Sequence, residues 1–133
     1  MATWQQVADY LRGNYKIHKE TDTFLTLRFG LPGNRSQFVT VKRVVGISHG
    51  DERSEWVEII SPVATVDQID VARASEIAAG WLCGGIVIER GGVFVRHSAP
   101  LAALDTNELE RPMSVLMSSA DSIEKELLGI DRL

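Results

Sequence analysis

Hydrophobic and polar positions recur along this chain in two different periods. Trp4, Val7 and Leu11 fall at helical spacing with Tyr10 beside them, and Thr3 followed by Gln6 makes a capping-box pair. A first helix is expected there, closed by Gly13 in the left-handed conformation. The period then drops to two. Within 23–29, Leu25, Leu27 and Phe29 alternate with Phe24, Thr26 and Arg28. Within 37–45, Val39, Val41 and Val45 alternate with Phe38, Thr40, Lys42 and Val44. Within 55–60, Val57 and Ile59 alternate with Trp56, Glu58 and Ile60. Such alternation predicts half-buried antiparallel strands. Leu31-Pro32-Gly33-Asn34 reads as a tight turn, Ser48 to Ser54 as a longer polar loop, and Ser61-Pro62 as the stop of the third strand.

A second helix is expected over 68–79, with Asp67 as N-cap, Asp70 in the first turn, Val66 and Val71 as a hydrophobic staple, and Gly80 closing it. It is rich in small residues (Ala72, Ala74, Ser75, Ala78, Ala79), which let another backbone come close. Residues 84–98 predict a hairpin about Gly91-Gly92, with Ile88 opposite Val95 and Val87 opposite Arg96. A last helix carries Met113, Leu116, Ala120, Ile123, Leu127 and Ile130 and ends at Gly129. Pro112 places its start near residue 111, after a short turn capped by Asp105 and Glu108. The order is α-β-β-β-α-β-β-α: an α+β single domain over 1–133, its antiparallel sheet carrying the first and last helices on one face.

The two sheet faces differ in character. Leu25, Leu27, Val39, Val41, Val57, Ile59, Ile86, Ile88 and Val95 share the core side. The other side mixes Phe24, Phe38, Trp56 and Phe94 with Thr26, Arg28, Thr40, Lys42, Glu58, Ile60, Val87 and Arg96. A face this apolar calls for cover by the middle helix, a partner, or a second copy.

Composition narrows the function classes. The 133 residues suffice for one core. The net charge of −4 disfavours nucleic acid and anionic membranes as partners. Cys83 is the only cysteine, so no internal disulfide forms and a reducing compartment is expected. The opening residues lack a signal-peptide pattern, and Trp81 to Ile88 is far shorter than the roughly 20 apolar residues of a membrane helix.

Catalytic signals are sparse. Gly46-Ile47-Ser48-His49-Gly50 matches the G-x-S-x-G string, but a strand rather than the required helix follows it, so it reads as a loop. His18, His49 and His97 show no metal-ligand spacing with one another or with Cys83. A small-ligand enzyme would rest on His97 or His49 with a nearby carboxylate. A single-stranded nucleic-acid binder would use Phe24, Arg28, Phe38, Lys42, Trp56 and Arg96, though no RNA-recognition signature is present.

The element order, the Ser61-Pro62-Val63-Ala64 strand exit, the Val93-Phe94-Val95-Arg96-His97-Ser98-Ala99-Pro100-Leu101 hairpin end and Ala120-Asp121 within the final helix form a further pattern. Together they resemble the type III secretion chaperone-like fold in its YbjN-type branch, over nearly the whole chain. The resemblance implies a small cytoplasmic homodimer, chaperone-like or regulatory, that binds a protein or peptide client; no catalytic residue, cofactor or metal is expected. It also implies that the middle helix and neighbouring strand, here 67–79 with 84–90, build much of the dimer interface. Val71, Ala74, Ala78, Val87 and Phe94 are then expected near the twofold axis, with Trp81, Trp56 and Phe38 as further partner-contacting residues.

Overall fold

The computed structural model describes residues 1, 3–47 and 53–128. Helix α1 (Trp4–Asn14) opens with the expected capping box: Thr3 Oγ1 accepts from Gln6 N, and Gln6 Oε1 accepts from Thr3 N, each at 3.2 Å. Gly13 lies inside this helix, which ends instead on extended Tyr15, whose N–H bonds the Leu11 carbonyl at 3.0 Å. Strands β1 (Ile17–Glu20), β2 (Phe24–Leu31), β3 (Arg35–Ile47) and β4 (Arg53–Thr65) follow, then α2 (Val71–Ala78), β5 (Gly85–Glu89), β6 (Gly92–Pro100) and α3 (Thr106–Ile123), continued as a π-turn over Glu124–Leu128. The strands form one antiparallel sheet in the order β1-β2-β3-β4-β6-β5. The fold is α+β, with one more strand, β1, than the alternation predicts. Ile17-His-Lys-Glu is short and irregular, with a register shift between Ile17 and Lys19, so it leaves no clean period of two.

Pro62 does not stop β4. The strand runs on to Thr65 because side chains supply hydrogen bonds where proline has no N–H. Ser61 Oγ donates to the Phe38 carbonyl at 2.7 Å. Gln37 Nε2 donates to the Pro62 carbonyl and to Ser61 Oγ, each at 2.8 Å. The register shift between Pro62 and Ala64 absorbs the remaining irregularity.

Three boundaries also move. Helix α2 starts at Val71 with Asp70 as N-cap, because Thr65, Asp67 and Gln68 bond one another in a preceding turn. The β5–β6 turn is Arg90-Gly91, both at positive φ (49° and 79°), so Val87 faces Phe94, Ile86 faces Val95 and Ile88 faces Val93. Helix α3 starts at Thr106 under an Asp105 cap and carries Pro112 inside it. One intrahelical bond is forgone there, and the proline ring is buried. Gly129 and Ile130 lie outside the described residues.

The core gathers on one side of the sheet. Val7, Ala8 and Leu11 of α1, and Leu109, Met113, Leu116, Ala120 and Ile123 of α3, close over Leu25, Leu27, Val39, Val41, Val57, Ile59, Val93 and Val95. Helix α2 joins the same core through buried Ala74, and Arg73 reaches Glu126 beyond α3 at 3.4 Å. Arg35 is buried at this side and pairs with Asp121 of α3. All three α-helices among the described residues therefore lie on the same face.

Candidate functional site

With the helices on one side, the opposite face of the sheet stands open. Phe24, Thr26, Phe38, Thr40, Trp56, Ile60, Val87 and Phe94 lie there half-buried, and no described residue on this face is fully buried. The middle helix does not cover it. One depression of about 360 Å³ is lined by Lys19, Phe24, Thr26, Thr40, Lys42, Glu58, Ile60 and Glu89. These residues come from both edge strands and three of the strands between them, so the sheet curves and this face is concave.

The aromatic rings of this face lie along the sheet. Trp56 sits over Gly46, where an added Cβ would come 3.0 Å from Nε1, and its N–H is held by Ser54 Oγ at 2.8 Å. Phe94 fills the space above Gly92 in the same way, with Cε2 at 2.8 Å from an added Cβ. Large rings over strand glycines shield backbone that would otherwise be bare. The Phe38 ring meets His18 at 4.7 Å between centroids, and Lys19 Nζ stands 5.8 Å over the Phe24 ring. Each of the four aromatics thus has a neighbour within the sheet. This explains how so apolar a face can border water.

Charge is unevenly placed across it. On β1, β2 and β3 this face carries Lys19, Arg28 and Lys42, all exposed, and no carboxylate among the described residues. Glu20 turns away toward α1, where it pairs with Arg12 at 2.5 Å. Glu58 and Glu89 stand on the β4–β5 side, with Glu58 3.9 Å from Arg96.

The residues singled out from the sequence divide between two sides. Phe38, Trp56, Val87 and Phe94 share the open face. Val71, Ala78 and Trp81 are half-buried at the α2 end of the helical layer. Ala74 is fully buried within the chain and offers no surface to a partner, which corrects its expected place among the interface residues. Of the small side chains in α2, Ala74 packs on this chain's own core, whereas Ala72 and Ser75 are exposed. Among the described residues strand β5 pairs with β6 alone, and no described strand pairs with its other edge. Exposed Ile88 and fully exposed Leu82 flank that edge. Lys19 escaped sequence reasoning because its strand did.

Other polar groups are arranged as follows. His97 lies on the core side opposite Ile59, half-buried, and desolvation holds its imidazole below the ordinary range. It makes no hydrogen bond or ion pair among the described residues. Ser48 and His49 of the G-x-S-x-G string lie outside those residues. Tyr15 donates to Glu110, and bonds from Tyr15 and Tyr10 hold that carboxyl below the usual range. Burial pushes the Cys83 thiol up, beside an apolar hollow lined by Pro112 and Val115. No group of three or more His, Cys, Asp or Glu among the described residues is placed to hold a metal ion. Among them, no helix is long and apolar enough to cross a membrane. No protein-family model matches the chain, and no curated protein matches it.

Proposed function

We propose that this chain is a non-enzymatic, homodimeric protein-binding domain, chaperone-like or regulatory, of the kind the YbjN-type resemblance implies. The observation that supports it is one-sided cover. All three helices pack on one face, leaving a concave face and the adjoining β5 edge open, with Val87 and Phe94 where the two meet. In this reading the dimer forms along β5. An antiparallel copy centred on Val87 would set Ile86 against Ile88 and place Glu89 opposite Gly85, so that no like charges meet. The open face then takes an extended client segment.

Light scattering on eluting protein tests the dimer. The expected mass is twice the 14.7 kDa of the chain. Val87→Glu puts two carboxylates together at the twofold axis on a half-exposed position and is expected to give a folded monomer. A wild-type monomer, or a Val87→Glu dimer, refutes the interface.

A further inference from the structure

Resting on the protein-binding reading, we infer that the β1–β3 half of the open face selects an acidic, extended peptide segment. The argument is charge complementarity. Lys19, Arg28 and Lys42 project from three adjacent strands onto one concave face, on a chain whose net charge is −4. Lys42 makes no ion pair among the described residues, although Glu58 stands opposite it in register. Glu58 is instead within 3.9 Å of Arg96. Glu58 and Glu89 stand across the depression, but the β1–β3 half carries three cations and no carboxylate among the described residues, which lowers the energy of an anion there and raises that of another cation. Between them lie Thr26 and Thr40, whose hydroxyls bond each other at 2.9 Å. They offer polar contacts on a floor otherwise made by Phe24 and Ile60. That floor suits the alternating side chains of an extended segment, with apolar residues inward and carboxylates toward the cations.

A peptide is favoured over single-stranded nucleic acid for two reasons. Base stacking needs free ring faces. Here the Phe24 face is capped by Lys19, the Phe38 ring is engaged by His18, and Trp56 lies against Gly46. A long polyanion would also run past the basic footprint toward Glu58 and Glu89 and the acidic remainder of the chain, whereas a short acidic segment ends within it.

The test uses fluorescence anisotropy on the full chain at low salt. The probes are a labelled peptide of alternating glutamate and valine, its lysine–valine counterpart, and labelled oligothymidylate of equal length. The glutamate peptide is expected to bind best and to weaken as salt shortens the screening length. Combined Arg28→Glu and Lys42→Glu, both at exposed positions, should weaken it at least about tenfold with an unchanged circular dichroism spectrum. Arg28→Gln with Lys42→Gln should fall between. No binding of the glutamate peptide, equal binding of the lysine peptide, preference for oligothymidylate, or indifference to the charge reversals each overturns the inference. Val87→Glu separates this inference from the dimer proposal. A wild-type monomer that still binds the acidic peptide defeats the dimer alone, and a dimer that ignores the peptide defeats the acidic segment alone.

Discussion

Ser61→Ala probes how this sheet carries a proline through one of its central strands. Ser61 has no exposed surface. Its hydroxyl donates to the Phe38 carbonyl at 2.7 Å and accepts from Gln37 Nε2 at 2.8 Å. Alanine removes both bonds. Gln37 Nε2 keeps the Pro62 carbonyl, so its loss is partial. The Phe38 carbonyl loses its side-chain donor in a stretch where proline supplies no N–H. A net hydrogen bond contributes about 1 kcal/mol, and a buried group left bare costs about 1–3 kcal/mol, so the expected destabilisation is about 2 kcal/mol. Gln37→Met behaves differently. It strips the Pro62 carbonyl of its donor, but it also removes Gln37 Oε1, which is buried with no hydrogen-bond partner. The two effects are of opposite sign, and the net cost should be at most about 1 kcal/mol. Urea unfolding followed by tryptophan fluorescence, at one fixed protein concentration, measures both. Thermal midpoints should fall by about 6–10 °C for Ser61→Ala, taking about 3–5 °C per kcal/mol at this chain length. The reasoning fails if Ser61→Ala changes stability by less than about 0.5 kcal/mol at unchanged m, or if Gln37→Met proves the more damaging of the two.

Three further outcomes follow from the same structure. Because burial lowers the His97 pKa, the unfolded chain takes up the proton more readily. Stability is then full above the ordinary histidine value of about 6.5 and declines as pH falls through it toward the lower folded value; His97→Leu should flatten that decline in melting scans, and an unaltered slope would refute the assignment. Asp121→Ala removes the carboxylate of α3 that pairs with the buried Arg35 guanidinium and should cost about 3 kcal/mol, whereas Arg35→Met with Asp121→Leu should cost less, as compared by urea unfolding. Arg90→Asn eases a positive-φ position ahead of Gly91 and should stabilise by about 0.5–1 kcal/mol, seen as a raised melting midpoint.

Much of the fold was legible because it is written locally. The capping box of α1 is a spacing of three residues, and both of its bonds form as read. Sheet faces were also legible. The β5–β6 register lies two residues from the expected one, and a slip of two preserves which side each residue faces. Ile86 and Val95 therefore still share the core side, and Val87 and Phe94 the open one. Boundaries failed where a side chain substituted for backbone. Pro62 ends a strand by its own chemistry, and β4 continues because Ser61 and Gln37, the latter distant along the chain, supply side-chain hydrogen bonds across to β3. Pro112 is tolerated inside α3 because the helix is capped at Asp105 and buries the ring.

The open face shows the division most plainly. Its mixed composition, and Phe38, Trp56, Val87 and Phe94 upon it, follow from period-two alternation. Whether a helix covers it does not, because a connecting loop can lay an amphipathic helix on either side of a sheet. Tertiary packing decided that α2 would set Ala74 into the common core, so one of the small residues that suggest a partner interface packs instead against this chain's own interior, while Ala72, Ser75 and Ala79 stay exposed. Packing also brought Lys19, from a strand with no readable period, onto the same sheet face as Arg28 and Lys42. Residue alternation is a property of neighbours in sequence, and it determined what each face is made of. Cover, curvature and the clustering of charge arise between residues far apart in the chain, and only the assembled sheet and its helices could set them.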